Sequence, residues 1–220
     1  MNRFIRISAA VFLIVVAGYG LTRVFAQPNK HANGQSVAAK LHDGDIVFQP
    51  CKAGQGRAIQ LATGSNYSHC GIVFFQKGKP YVLEAVQPVK MTPFSVWIKQ
   101  GDDGAYAVKR LRSAANGLSS DVILKMKAAG KKMLGKNYDL KFGWGDDRYY
   151  CSELVWKIYN RSTGLSVGPL KKFEEFELSN RIVQEIMKKR YGKYIPYDQK
   201  MIAPGDIFDS ELLETVAIID

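Results

Sequence analysis

The chain has 220 residues with three cysteines and three histidines, and one combination of these suits covalent chemistry. Cys151 lies in Arg148-Tyr149-Tyr150-Cys151-Ser152-Glu153-Leu154-Val155-Trp156, behind a Gly- and Asp-rich loop and ahead of Leu154, Val155, Ile158 and Tyr159 at helical spacing. That spacing predicts a helix with the thiol in its first turn. Unpaired backbone N–H groups and the positive end of the helix dipole favour a thiolate there; a buried core cysteine is the ordinary alternative. A thiolate nucleophile needs a proton carrier. His31 falls in a polar stretch and His42 beside an Asp-Gly turn, whereas His69 opens an apolar run among small residues. Cys and His together suffice for nucleophilic acyl transfer if they meet in space.

A carboxylate that orients the imidazole completes such a site. Glu84 interrupts the apolar run Tyr81-Val82-Leu83-Glu84-Ala85-Val86, an expensive position unless the charge is paired. A four-residue loop, Phe75 to Gly78, sets position 69 directly across a hairpin from 84, and a slip of one residue turns Glu84 to the other face.

The elements that must position these groups follow from the pattern. Gly44 to Phe48 reads as a turn into a strand, Arg57 to Ala62 as a short helix stopping at Gly64, and Ser68–Phe75 with Tyr81–Val86 as a hairpin. Thr92-Pro93 reads as an N-cap and first helical residue of a short helix through Trp97, and Ala105–Leu111 as a strand. Further helices are expected from Ser119 or Ser120 to Leu134, from Cys151 to Tyr159, and from about Ser179 to Gly192. Strands and helices mix without βαβα alternation, so the expected fold is α+β, a small antiparallel sheet packed with helices.

Composition removes other classes of function. Apolar residues make up 46% and charged residues 23%, as in ordinary folded domains and unlike disordered or coiled-coil chains. There is no CxxC pair, no Cys/His cluster with zinc-ligand spacing and no phosphate-binding loop, so neither a metal nor another cofactor is expected. Residues 1–26 read as an export signal: Arg3 and Arg6, an uncharged and mostly apolar Ile7–Leu21, then Val24-Phe25-Ala26 as a cleavage site. The apolar run is short for a spanning helix, although an uncleaved anchor is the alternative. Residues 27–40 read as a linker and 41–220 as one domain, placed in the periplasm or cell envelope. Cleavage would remove three arginines and no acid, lowering the net charge from +11 to +8. Lys131-Lys132, Lys171-Lys172 and Lys188-Lys189-Arg190 fall on amphipathic helical patterns or beside them. They predict solvated faces with a weak attraction to anionic envelope surfaces, and no nucleic-acid partner.

Gly44-Asp45-Ile46-Val47-Phe48, Tyr67-Ser68-His69-Cys70-Gly71, Leu83-Glu84-Ala85-Val86, Gly135-Lys136-Asn137-Tyr138-Asp139 and Tyr150-Cys151-Ser152-Glu153-Leu154-Val155 together resemble the YiiX/YaeF-type permuted papain-fold amidases. These are relatives of the NlpC-type cell-wall endopeptidases and, more distantly, of the lecithin:retinol acyltransferase group. The resemblance covers the chain from about Leu41 to the C-terminus. It implies a circularly permuted papain-like fold with the nucleophile at a helix N-terminus, and His69 ahead of Cys151 in the chain. It further implies Cys151 as nucleophile, His69 as base and Glu84 as its orienting acid. The Cys151 backbone N–H would hold the oxyanion, with Tyr67, Tyr150 and Asp45 as candidate substrate or oxyanion contacts. Cys70, beside the base, departs from the pattern; it is either inert packing or a partner of Cys51. The implied activity is a cysteine amidase or peptidase acting on small peptide or acyl substrates of the cell wall. Lipid acyl transfer or thioester hydrolysis, and a non-catalytic envelope-binding module, are the alternatives.

Overall fold

The computed structural model describes residues 36–52 and 54–220. The expected export signal and residues 27–35 of the expected linker lie outside the described residues. Val37, within that linker, is buried with Leu41 against Val47, Val73 and Trp97. The packed body therefore already includes Val37.

Strands β1 (Ile46–Gln49), β2 (His69–Gln76), β3 (Lys79–Glu84), β4 (Lys90–Pro93), β5 (Tyr106–Leu111) and β10 (Leu213–Ile219) form a six-stranded sheet in the order β10-β5-β1-β2-β3-β4. All neighbours run antiparallel. Period-two alternation divides β2 between two cores. Cys70, Ile72 and Phe74 face one, and Val73 faces the other together with Val47, Val82 and Val108. Helix α1 (Gly54–Thr63) precedes β2, α2 (Phe94–Trp97) follows β4, and α3 (Ser120–Met133) follows β5.

The central helix is α4 (Cys151–Thr163). Its Leu154, Val155 and Ile158 are fully buried against the face of the sheet that carries Cys70. Their 3-4 spacing makes one continuous apolar stripe, and the Tyr159 hydroxyl donates to the carbonyl of Gly44 just before β1. Gly164, at φ 76°, ends the helix in the left-handed conformation. A two-residue parallel bridge joins β6 (Asn137–Tyr138) to β7 (Arg148–Tyr149), carrying Tyr138 to the start of α4. Beyond α4, β8 (Lys171–Lys172) pairs with β9 (Lys200–Met201) around α5 (Arg181–Tyr191), and α6 (Pro204–Phe208) leads into β10.

Two local expectations change. Thr92 and Pro93 end β4, and helix α2 begins at Phe94 with Pro93 in the capping position. The hairpin turn is two residues, Lys77-Gly78, both at positive φ, which is the turn whose twist matches paired strands. Among the described residues no helix is long and apolar enough to cross a membrane.

Candidate active site

The shorter turn resets the register. Gly71, not His69, lies across from Glu84, so His69 and Glu84 are diagonal neighbours two residues apart and still share a face. His69 Nε2 and Glu84 Oε2 are 2.7 Å apart. Gly71 makes this approach possible. A Cβ there would stand 2.5 Å from Val82 Cγ1 and 2.8 Å from the Leu83 carbonyl oxygen, which is a physical reason for glycine two residues after the histidine.

Glu84 is fully buried, and three donors compensate its lost hydration. Besides His69, the Thr92 hydroxyl donates to Oε1 and the Trp97 indole N–H donates to Oε2 at 3.0 Å. Burial raises the carboxyl pKa, but the bond to His69 and then those to Thr92 and Trp97 outweigh it, and the group stays below its ordinary value. Thr92 and Trp97 are thus site residues that the sequence pattern did not mark as such. Their signal was Glu84 itself, since a buried carboxylate in an apolar strand requires donors from the elements packed beside it.

The side chain of His69 is 19% exposed, and it stands at the first position of β2, where its ring meets both Glu84 and Cys151. Burial opposes the imidazolium, yet hydrogen bonds to Cys151 and Glu84 and their charges raise its pKa to about 10. With Nε2 on the carboxylate, Nδ1 is the nitrogen left for the thiol.

Cys151 opens α4 with its side chain almost wholly buried. Its thiol is held well below the ordinary range, first by a hydrogen bond from the Cys70 thiol and then, against burial, by His69. A thiolate and an imidazolium side by side are the resting form of a cysteine nucleophile. The helix end is anchored independently: Ser152 Oγ donates to the Ile202 carbonyl at 2.7 Å, and Glu153 accepts the Tyr150 N–H.

Two clefts meet here. A narrow apolar slot with a cavity volume of about 80 Å³ touches Cys151 and runs between Ala62, Phe142, Phe176, Ile186 and Met187. A wider cleft of about 330 Å³ touches His69 and is lined by Gln49, Gln55, Ser68, Gln100 and Tyr138. Tyr138 stands within electrostatic reach of Cys151, and its oxygen accepts from Gln55 Nε2 at 2.8 Å. That bond leaves the phenol proton free to point into the site.

The three candidate substrate contacts fare differently. Asp45 lies four residues along the sheet from His69, about 13 Å away at strand rise, where it pairs with Arg110 at 2.7 and 2.8 Å. It holds the sheet together and does not reach the site. Tyr67 packs between Phe48 and Phe208 and lines neither cleft. Tyr150 lines the slot, but its hydroxyl accepts the Ile202 N–H at 3.1 Å, making it a wall. No disulfide joins Cys51 to Cys70, and Cys70 lies against Cys151 instead.

A sequence profile described as permuted papain-like amidase enzyme, YaeF/YiiX, matches residues 40–217. The chain belongs to this family. It is 47% identical over 174 residues to YiiX of Escherichia coli strain K12, a protein itself named as uncharacterized; the match spans 79% of this chain and 85% of that one. The crystal structure of YiiX from Escherichia coli O157:H7 superposes with a TM-score of 0.78 at 47% identity, covering 82% of this chain and 98% of that one. The permuted papain-like fold places His69 ahead of Cys151 in the chain. That YiiX is described as a metalloprotein. Among the described residues here, no group of three or more His, Cys, Asp or Glu side chains could hold a metal ion.

Proposed function

We propose that this member of the permuted papain-like amidases is a cysteine hydrolase working through Cys151, His69 and Glu84. The observation that carries the reading is the ring of His69, shared between a buried carboxylate and a thiol at a helix N-terminus. In the first half-reaction the Cys151 thiolate attacks an amide or ester carbonyl carbon, and the oxyanion takes hydrogen bonds from the Cys151 backbone N–H and the Tyr138 hydroxyl. As the C–N or C–O bond breaks, the imidazolium of His69 gives its proton to the leaving group. A water molecule then passes a proton back to His69 and attacks the thioester, releasing the acid and restoring the thiolate.

The substrates proposed are amides of cell-envelope peptides, met after export, with the positive surface adding a weak attraction to the envelope. One observation favours a second reading, acyl transfer or hydrolysis on lipids: the slot at Cys151 is lined almost entirely by carbon, as an acyl chain requires. Incubating the protein with muropeptides and, separately, with N-acylated and ester lipids tests both, the acyl-enzyme at Cys151 being read by intact mass. Cys151→Ala should lose the adduct and at least about four orders of magnitude in turnover. An adduct on Cys51 or Cys70, or one surviving in Cys151→Ala, would overturn the assignment.

A further inference from the structure

Gln55, the second residue of α1, lines both the apolar slot and the wider cleft, and it has no part in the acyl-transfer cycle. Helix α1 packs against α5, and this brings Arg190 to it: Arg190 Nη2 donates to Gln55 Oε1 at 2.5 Å. On its other side Gln55 Nε2 donates to the Tyr138 oxygen at 2.8 Å. Both outer partners are held from elsewhere. The Arg190 guanidinium lies over the Phe142 ring, 4.9 Å from its centre. The Tyr138 backbone N–H donates to Gln87 Oε1 at 2.7 Å, and the residue pairs with Tyr149, just ahead of the nucleophile.

The direction of this chain of bonds is forced. A guanidinium only donates, so the atom it meets must be the amide oxygen, and the amide NH2 is then the group that faces Tyr138. The phenol oxygen accepts that N–H and keeps its own proton for the cleft it shares with His69. We propose that Gln55 is a positioning residue, locked by Arg190 so that Tyr138 presents its hydroxyl proton, and not a lone pair, to the oxygen of the reacting carbonyl. An unguided phenol must turn its O–H as charge develops, whereas a donor already aimed costs no reorganisation at that moment. The proposal rests on the hydrolase reading, with Tyr138 as an oxyanion donor, and adds what aims that donor.

A carboxylate at position 55 inverts the chain. Gln55→Glu keeps the shape and pairs with Arg190, but it offers no donor, so the Tyr138 proton turns onto it and away from the site. The probe is para-nitrophenyl butyrate: the Cys151 thiolate attacks the ester carbonyl carbon, a thioester forms, and para-nitrophenolate leaves. The acylation rate is read from the nitrophenolate burst, with the adduct located on the Cys151 peptide by mass spectrometry. Gln55→Glu should slow acylation about ten- to hundredfold, the loss of one hydrogen bond to a developing oxyanion. In a Tyr138→Phe background, where no phenol proton remains to redirect, the same substitution should cost little. The added charge acts on the thiolate in both backgrounds, so the difference between them reads the hydrogen bond alone. Equal losses in the two backgrounds, or no loss with Tyr138 present, would overturn the proposal. Arg190→Met covers a Gln55→Glu protein that does not fold: it frees the amide to turn over and should slow acylation about two- to fivefold, again only where Tyr138 is present, and an unchanged rate overturns the lock. A parent protein that forms no adduct at Cys151 refutes the hydrolase reading and this proposal with it, whereas acylation indifferent to Gln55 refutes the proposal alone.

Discussion

Replacing Glu84 by Gln isolates the orienting charge with little change of shape. The native carboxylate accepts three hydrogen bonds, from His69, Thr92 and Trp97; an amide oxygen can keep some of them, but the amide NH2 then faces donors. A hydrogen bond between charged groups contributes about 1.5–3 kcal/mol, equivalent to about one to two pKa units on the imidazole. His69 should therefore fall from about 10 to about 8–9 in Glu84→Gln. The proposed mechanism requires the thiolate and the imidazolium together, so the alkaline limb of the pH–rate profile should move down by that interval. Stability has the same sign. A histidine raised in the folded state contributes fully below its ordinary value of 6.5 and loses that contribution as pH rises through about 10. In the variant this loss begins at lower pH, on top of a general cost of about 1–3 kcal/mol for a poorly paired buried group. The assay is kcat/KM against pH on an acyl thioester, with melting temperatures on the same samples. An alkaline limb that stays at the wild-type position while the variant remains folded would refute the argument that Glu84 governs the charge on His69.

Asp45→Asn removes the charge that pairs with Arg110 but leaves that guanidinium the carbonyls of Lys40 and Ala115; it should cost about 1–3 kcal/mol in denaturant unfolding and should leave the pH dependence of Cys151 alkylation in the folded fraction unchanged, and a shifted profile would return Asp45 to the site. Gly71→Ala forces a Cβ into the Leu83 backbone and should destabilise by about 1–3 kcal/mol, with a drop in turnover as His69 and Glu84 separate, measured by paired unfolding and activity curves. Ala62→Phe narrows the apolar slot. It should depress turnover of long-chain acyl substrates more than of short ones, and equal losses for both would show that the chain does not lie there.

How much of the site was legible in the chain can be followed residue by residue. Cys151 announced itself through the helical spacing behind it, and the structure begins α4 at that residue. Glu84 stood out as a charge in an apolar strand, yet the register that brings it to His69 depended on a turn two residues shorter than expected, with an asymmetric consequence. A change of two in register preserves the shared face, whereas a change of one would have destroyed it. Thr92 read as a helix cap and is instead a donor to Glu84, because the chain stays in β4 through Pro93, which takes the capping position and leaves the Thr92 hydroxyl beside the buried carboxylate of β3. Asp45 looked like part of a functional motif because a short acidic motif carries no sign of whether its charge meets substrate or a distant Arg110. The final strand β10 went unread, since its residues alternate only weakly and gain their place by pairing with β5 at the sheet edge.

By itself the sequence determined the local matters: a thiol at the head of a helix, a histidine at the head of a strand, an α+β mix of elements and membership of a recognisable family. The first two depend on residues within a turn or two of one another, where periodicity and backbone chemistry act directly; the mix of elements and the family follow from such short motifs taken in order along the chain. The tertiary structure alone decided which side chains meet: Trp97 and Thr92 on Glu84, Tyr138 within reach of Cys151, and Cys70 against Cys151. Those contacts join residues 8 to 81 positions apart. They are set by strand register and by the packing of one helix on one face of a sheet, which no local pattern encodes.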